Sequence, residues 1–367
     1  MTGILSTCTV CGRPVATKAC ARCKTLYCSP HCQQEHWNSG HKKLCKKIQR
    51  AGGAEQFHAD AKFKEAVDAA VAACAAEGVP QDVECFICQS SIAGKGIVRG
   101  CGCRGTMGLA HVACLAWQAE MSVKEEEEWN TGEGILKWDT CFDCGQNFHG
   151  AVQLALGWAG WKTYLDRPEA DKCRCNAMYL VGSALRSNGQ TEEALPVLEA
   201  QLALRRRLWS HEENSILVAQ TALAVCLGDL GRHDEALVLR REIYARRVVT
   251  RGVSDQATIT AGGFVVGSLV NLELYEEATT LARDQLPAAQ QVLGHNHAIT
   301  QRLSHDLARS LFGNPGRTRD DRRLNQNQCA RRRPSQRRRR HARSRDPHGG
   351  RGPETTASLG PHAYCHA

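Results

Sequence analysis

Two stretches of the sequence carry cysteine and histidine residues in closely spaced pairs. The partners of each pair are one to three residues apart, so that two side chains can reach one metal ion from a tight turn or a single helical turn. In each stretch the pairs comprise seven cysteines and one histidine, which are enough ligands for two tetrahedral zinc ions. We therefore expect two zinc-stabilised fingers that together bind four Zn²⁺ ions. The candidate ligands are Cys8, Cys11, Cys20, Cys23, Cys28, Cys32, His41 and Cys45 in the first finger, and Cys85, Cys88, Cys101, Cys103, His111, Cys114, Cys141 and Cys144 in the second.

The cysteine content also bears on the compartment. The chain has 20 cysteines in 367 residues, but its first residues lack the basic and apolar regions of an export signal. Thiols that are not exported stay reduced and serve as metal ligands rather than in disulfides. The longest apolar runs, 150–161 and 259–270, are shorter than the roughly 18 residues of a membrane helix. We expect an intracellular, soluble protein of the cytoplasm, the nucleus or both, with no membrane partner.

The charge is distributed unevenly along the chain. The formal net charge is +9, and residues 315–367 account for all of it with fourteen arginines, no lysine and four acidic residues. The rest of the chain is close to neutral. Because a nucleic-acid surface needs a basic patch, we expect no nucleic acid as a partner except through the Arg-rich tail.

The first finger needs a helix that carries Cys32. Ser29 and Pro30 suit the N-cap and the first position of such a helix. The order and spacing of the eight ligands, with the flanking segments 27–29 and 41–45, resemble the MYND zinc finger. This resemblance implies two interleaved zinc sites without His36, and a surface that docks short, often proline-containing peptides of partner proteins. The implied ligand sets are Cys8, Cys11, Cys28 and Cys32 for one ion, and Cys20, Cys23, His41 and Cys45 for the other.

A helix is predicted between the two fingers. Apolar residues recur at helical spacing from Phe57 to Cys74, and a Gly-Val-Pro sequence at 78–80 ends the pattern. Cys74 lies on the alanine-rich face, where a small core residue is the expected role.

The second finger has four cysteines, one histidine and three cysteines in order, as PHD and RING-type fingers also do. Seven residues separate Cys103 from His111, a longer gap than in PHD fingers. With the segments 99–106 and 111–117, this spacing resembles the RING-CH (RING-variant) finger. The resemblance implies a cross-brace, in which Cys85, Cys88, His111 and Cys114 bind one zinc, and Cys101, Cys103, Cys141 and Cys144 bind the other.

The RING-CH resemblance implies a ubiquitin ligase that has no catalytic nucleophile. Such ligases hold the thioester of a charged ubiquitin-conjugating enzyme in a reactive pose. Ile87 and Trp117 would contact that enzyme. Trp117 follows Cys114 by three residues where the family usually has four, and 26 residues separate Cys114 from Cys141, which is long for the family. A non-enzymatic adaptor, in which the ions only fold binding modules, is the alternative.

Residues 170–314 contain an internal repeat with a period of 42 residues. Each repeat has two apolar helical patterns around a short turn, which is the signature of a solenoid. The pattern resembles tetratricopeptide repeats of the kinesin-light-chain form and implies a groove that binds a peptide or helix of a protein substrate. The bulk of Val266, at a position where a small residue is usual, predicts a looser third helix pair. The small positions are Gly182, Ala224 and Val266 in the first helices, and Ala194, Ala236 and Ala278 in the second helices.

The predicted organisation combines these segments. The fold class is two small zinc-stabilised fingers followed by an all-α helical-repeat solenoid and a disordered tail. The Arg-rich tail fits a nuclear-import or RNA-binding segment, and a mistranslated reading frame fits equally well. The leading hypothesis is a RING-CH-type ubiquitin ligase that recruits substrates through the MYND finger and the repeats. The predicted domains are a MYND-type finger at 1–50, a helical linker at 51–84, a RING-CH-type finger at 85–149, tetratricopeptide-like repeats at 150–314 and the tail at 315–367.

Overall fold

A computed structural model describes Ile4 and residues 8–13, 17–80, 82–90, 96–129 and 137–313. The chain divides into two compact units, Met1–Leu239 and Arg240–Ala367. The predicted disordered tail, residues 315–367, lies outside the described residues. Among the helices that the structure describes, none is long and apolar enough to cross a membrane.

The first finger is a two-stranded hairpin followed by two short helices. Strands β1 (Lys18–Ala19) and β2 (Leu26–Tyr27) pair antiparallel. Helix α1 (Pro30–His36) begins as the sequence predicts, because the Ser29 hydroxyl accepts a hydrogen bond from the Cys32 N–H at 3.2 Å. A wide turn containing Gly40, whose φ of 141° few other residues adopt, leads into α2 (Lys42–Arg50).

The predicted helix between the fingers is present and belongs to the body of the first unit. Helix α3 (Ala54–Ala76) buries Ala59, Ala66, Ala70 and Cys74 along one face. This face packs against α5 (Gly150–Tyr164), whose own apolar residues are almost all buried. The segment thus covers the first helix of the solenoid as well as connecting the fingers.

The second finger is built from turns, two isolated β-bridges and one helix. Val98 bridges Ala110, and Thr140 bridges Asn147. Helix α4 (Val112–Trp129) takes up most of the long stretch between Cys114 and Cys141. Its inner face is buried and packs against α5. Residues 130–136 of this stretch lie outside the described residues.

The predicted repeats form helix pairs in the first unit. The helices are α6 (Lys172–Ser187), α7 (Thr191–Leu208), α8 (Glu213–Asp229) and α9 (His233–Arg251), and the boundary between the two units falls within α9. The pair α6–α7 is close, since a Cβ on Gly182 would lie 2.6 Å from the Leu198 side chain. Ala194 and Ala236 are fully buried, as expected for the small positions.

The second unit contains α10 (Gln256–Asn271), α11 (Tyr275–Val292) and α12 (Ala298–Gly313), which pack on one another. Val266 is fully buried on α10, so its bulk is accommodated, and a looser third pair stays a prediction. Glycines elsewhere on α10 lie close to the neighbouring helices. A Cβ on Gly262 would lie 2.6 Å from the Gln285 side chain, and one on Gly267 would lie 2.8 Å from Arg302.

Candidate metal centres

The structure gathers the sixteen predicted ligands into four groups of four. Within each group the sulfur and ring-nitrogen atoms all lie within 4.8 Å of one another. A zinc–sulfur bond of about 2.3 Å gives a tetrahedron whose sulfur–sulfur edge is about 3.8 Å, and a sulfur–nitrogen edge is about 3.6 Å. These edges are the measure against which each group can be compared.

The first group joins Cys8, Cys11, Cys28 and Cys32. Cys8 and Cys11 lie in one turn, Cys28 follows β2, and Cys32 lies in α1. The Sγ atom of Cys28 is 3.5 Å from that of Cys11 and 3.6 Å from that of Cys32. The Sγ atoms of Cys11 and Cys32 are 3.9 Å apart. All three distances are close to a tetrahedral edge.

The second group joins Cys20, Cys23, His41 and Cys45, and all four side chains are buried. The Sγ atoms of Cys20 and Cys45 are 3.8 Å apart, and His41 directs Nε2 toward the Cys23 Sγ at 3.3 Å. His36 lies beside this group rather than in it. Its ring is 4.7 Å from the His41 ring, and its Nδ1 shares a hydrogen bond of 3.0 Å with the Tyr27 hydroxyl.

The third group joins Cys85, Cys88, His111 and Cys114 across the second finger. His111 lies immediately before α4 and Cys114 lies in its first turn. The Nδ1 atom of His111 is 3.5 Å from the Cys88 Sγ and 3.7 Å from the Cys114 Sγ. The two histidines therefore face the cysteines of their groups through different ring nitrogens, Nε2 in His41 and Nδ1 in His111.

The fourth group joins Cys101, Cys103, Cys141 and Cys144. The Sγ atoms of Cys103 and Cys141 are 3.7 Å apart. Gly108 closes tightly over this group with a φ of 76°, and a Cβ there would lie 3.1 Å from the Cys101 Sγ. The third and fourth groups alternate along the chain: a pair of the third group is followed by a pair of the fourth, and then the order repeats. Each group therefore combines two pairs that are separated in sequence by a pair of the other group.

Burial and hydrogen bonding shift the pKa values of the ligand thiols in both directions. Burial raises the pKa of Cys45 to about 11, and its contacts with Cys20 and Cys23 add to the shift. Burial likewise raises the pKa of Cys114 to about 12, with a contribution from Cys88. For Cys20, burial acts in the same direction, but the backbone N–H of Cys23 and the His41 side chain outweigh it and lower the pKa to about 6. Several thiolates in one group repel one another. A bound divalent cation would attract all of them, outweigh this repulsion and so favour the deprotonated form.

A further trio shares one residue with the first group. His31, Cys32 and Glu35 lie within reach of a common ion, but His31 and Glu35 are exposed and 3.9 Å apart. We interpret this pair as a surface contact between successive turns of α1.

The two residues predicted to contact a conjugating enzyme differ in exposure. Ile87 is half-buried, whereas Trp117 on α4 is 57% exposed. Sequence reasoning missed two more exposed apolar side chains of this finger, Met107 and Phe142. Phe142 lies between Cys141 and Cys144, as Ile87 lies between Cys85 and Cys88, and that equivalence is the signal that could have found it.

Family comparisons confirm both predicted finger resemblances. Residues 8–45 match the model of the MYND finger, and residues 85–129 match the model of the RING-variant domain. The second match ends before Cys141 and Cys144, although the structure places these cysteines beside Cys101 and Cys103.

Curated relatives match over short stretches only. The chain is 55% identical over 40 residues to ubiquitin carboxyl-terminal hydrolase 19 of Arabidopsis thaliana, which is 11% of this chain and 6% of the relative. It is 53% identical over 38 residues to dauer abnormal formation protein 25 of Caenorhabditis elegans, which is 10% of each protein.

Solved structures with similar helices include the nearly identical TPR-like repeats of a kinesin light chain from Podosopora anserina. It has 18% identity and a TM-score of 0.42, with 60% of this chain and 95% of that one covered. BtubC from P. vanneervenii has 10% identity and a TM-score of 0.33, with 57% and 74% covered. At these TM-scores the assignment of repeats depends on the helix pairs of this chain.

Proposed function

We propose that this protein is a zinc-dependent ubiquitin ligase of the RING-variant type. The observation that carries the proposal is the alternation of the third and fourth groups, whose first six ligands lie in the segment that matches the RING-variant domain. Alternating groups hold a small finger in one rigid conformation. A ligase of this type needs a rigid surface, because it acts by orienting a reaction that occurs on another enzyme.

The metal is Zn²⁺, with one ion in each of the four groups. Sets of three or four cysteines with at most one histidine are the donor sets of structural zinc sites, which leave no open position for catalysis. The described apolar core of the first finger is small, with Tyr27 and Ile48 as its buried members besides the cysteines. Zinc binding supplies folding energy on the order of 10–16 kcal/mol per ion. The sixteen side chains of the four groups are the ligands.

Ile87 and Trp117 form the surface that contacts the ubiquitin-conjugating enzyme. An exposed tryptophan and a half-buried isoleucine on one finger are the kind of apolar anchors on which protein contacts depend. No group of this chain attacks the thioester. The finger instead restricts the orientation of the thioester, so that a substrate lysine meets it productively.

Protein substrates are recruited by the MYND finger and by the repeats. MYND fingers are small docking modules for peptides, and stacked helix pairs expose side chains of successive first helices along one surface. The partners are therefore proteins or peptides.

The test is discharge of ubiquitin from charged conjugating enzymes onto free lysine, with a panel of such enzymes and zinc-loaded full-length protein. We expect native mass spectrometry to find four zinc ions per chain. We expect Ile87→Ala and Trp117→Ala each to slow discharge by about tenfold, the loss typical of an interface anchor. Val249→Ala is the matched control, because Val249 is 83% exposed on α9 and outside the finger.

The alternative is a non-enzymatic adaptor, favoured by the position of Trp117, three residues after Cys114. A folded protein with four zinc ions that accelerates no member of the panel would refute the ligase and support the adaptor.

A further inference from the structure

Helix α3 begins in direct contact with the first finger. The Ala54 N–H donates a hydrogen bond of 2.8 Å to the backbone oxygen of Cys23, a residue of the second metal group. Ala54 and Phe57 also pack against the buried core of that finger, which includes Tyr27 and Ile48. The helix is therefore joined to the finger by a hydrogen bond and by apolar packing, with little free chain between them.

The same helix ends in direct contact with the second finger. In its last turn, the Cys74 Sγ accepts a hydrogen bond from the Arg99 N–H at 3.4 Å and donates one to the Arg99 oxygen at 3.7 Å. Arg99 lies two residues before Cys101 of the fourth metal group. One turn earlier Val71 packs so tightly on Gly96 that a Cβ there would lie 2.4 Å from it.

Between these two ends, α3 is fixed along its length. Its buried alanine face packs on α5, and its flanks are tied by two ion pairs. Asp60 is 2.8 Å from Lys162 on α5, and Lys62 is 3.2 Å from Glu193 on α7. A helix held on one face by a packed core does not bend as an isolated helix would.

We propose that α3 is a rigid spacer that holds the two fingers at a fixed separation and orientation. From Ala54 to Cys74 a helix rises about 30 Å. This inference rests on the proposed function for its consequence. When a substrate is docked on the first finger, only some of its lysines can reach the conjugating enzyme on the second finger. These are lysines that lie on the order of 30 Å from the docked segment and are directed toward that enzyme. The spacer thus selects protein substrates by the distance between their docking segment and their acceptor lysine.

The exposed lysines of the first finger serve as built-in reporters of this selection. They move with the finger, and self-modification at high dilution reports which of them reach the conjugating enzyme. They are Lys18, Lys24, Lys42, Lys43, Lys46 and Lys47.

The experiment compares the zinc-loaded full-length protein with a variant in which the joint is released. This variant has a short Gly/Ser insertion between Gly53 and Ala54 together with Phe57→Ser, which removes the contact with the first finger's core. The control carries the same insertion after Gly252, in an exposed turn of the second unit. Each protein is assayed for discharge onto free lysine, and its self-modified lysines are mapped by mass spectrometry.

We expect equal discharge onto free lysine in all three proteins. In the wild type and the control, one or a few first-finger lysines should carry most of the modification, with a preference of about tenfold or more over the others. In the released variant this preference should disappear, while modification of Lys172, exposed on α6 in the same unit, stays unchanged. Identical lysine maps, with normal discharge, would overturn the spacer and leave the ligase function standing.

Hydrogen–deuterium exchange tests the spacer independently of ligase activity. If no protein discharges the conjugating enzyme, the proposed function fails, and the exchange of residues 51–57 decides the spacer alone. Strong protection of the Ala54 amide in the wild type supports a fixed joint. Exchange as fast as in the released variant would overturn it.

Discussion

Trp138 links the core of the first unit to the fourth metal group. Its indole is 1% exposed and stands edge-on to the Tyr164 ring, with centroids 5.8 Å apart. Its Nε1–H donates a hydrogen bond of 3.2 Å to the Tyr164 hydroxyl. Three residues later the chain enters the turn that carries Cys141 and Cys144, which is closed by a hydrogen bond of 2.8 Å from the Cys141 N–H to the Gln146 oxygen. Trp138 therefore anchors the start of this turn.

The structure sets the expected size of each perturbation. Trp138→Ala removes a buried indole and should cost about 3–5 kcal/mol of unfolding free energy. Trp138→Phe keeps most of the ring packing but leaves the Tyr164 hydroxyl without its donor, at about 1–2 kcal/mol. Tyr164→Phe leaves the indole N–H buried without an acceptor, at about 1–3 kcal/mol. The double phenylalanine variant orphans neither group, so it should cost less than the sum of the two single variants.

The assay combines urea unfolding, followed by circular dichroism, with the rate of zinc transfer to a chromophoric chelator. Trp138→Ala should speed zinc release because the turn carrying Cys141 and Cys144 loses its anchor. Trp209→Ala is the matched control, since Trp209 is a largely buried residue after α7. The reasoning is refuted if Trp138→Ala costs less than about 1 kcal/mol, or if it speeds release no more than Trp209→Ala does.

Two further predictions concern the helices. Burial lowers the pKa of His58, whose ring is 5.6 Å from that of Trp158, and nearby Lys62 lowers it further. The unfolded chain then binds the proton more readily, so stability is present above the ordinary histidine pKa of about 6.5 and is lost as pH falls through it. His58→Phe should flatten that dependence in urea unfolding between mildly alkaline and mildly acidic pH; an unchanged slope would contradict it. Gly182→Ala should cost about 1–3 kcal/mol of unfolding free energy, because the added methyl group overpacks against Leu198. Exposed Ser187→Ala is the control, and thermal unfolding measures both variants. A Gly182→Ala variant as stable as the control would contradict the prediction.

Local spacing was enough to predict the candidate ligands, whereas the family resemblance predicted how their pairs combine. Pairs of cysteines are local in sequence, and the turn or helix start that carries each pair is local too, as Ser29 and Pro30 show for Cys32. The structure brings the predicted side chains into the same four groups that the family resemblance implied. The helices of the repeats were equally predictable, because each has its own apolar periodicity.

Contacts between distant segments could not be predicted in this way. The alanine face of α3 fits any closely packed neighbour, so its spacing does not identify α5 as the partner. The hydrogen bond from Trp138 to Tyr164 joins residues 26 positions apart and leaves no periodic trace. The same limit applies to α10, whose close approach to α11 and α12 occurs at Gly262 and Gly267 and not at the repeat position Val266.

The alternation of metal groups also fixes the order in which they can be completed as the chain leaves the ribosome. The first finger has all its ligands once Cys45 emerges, whereas the second must wait for Cys144. At about 5–20 residues per second, synthesis of the intervening stretch takes roughly 5–20 s. Within this interval Cys85 and Cys88 wait for His111 and Cys114, and Cys101 and Cys103 wait for Cys141 and Cys144. Until their partners emerge, these cysteines are open to oxidation. Zinc supply and reducing power during translation therefore matter most for the second finger.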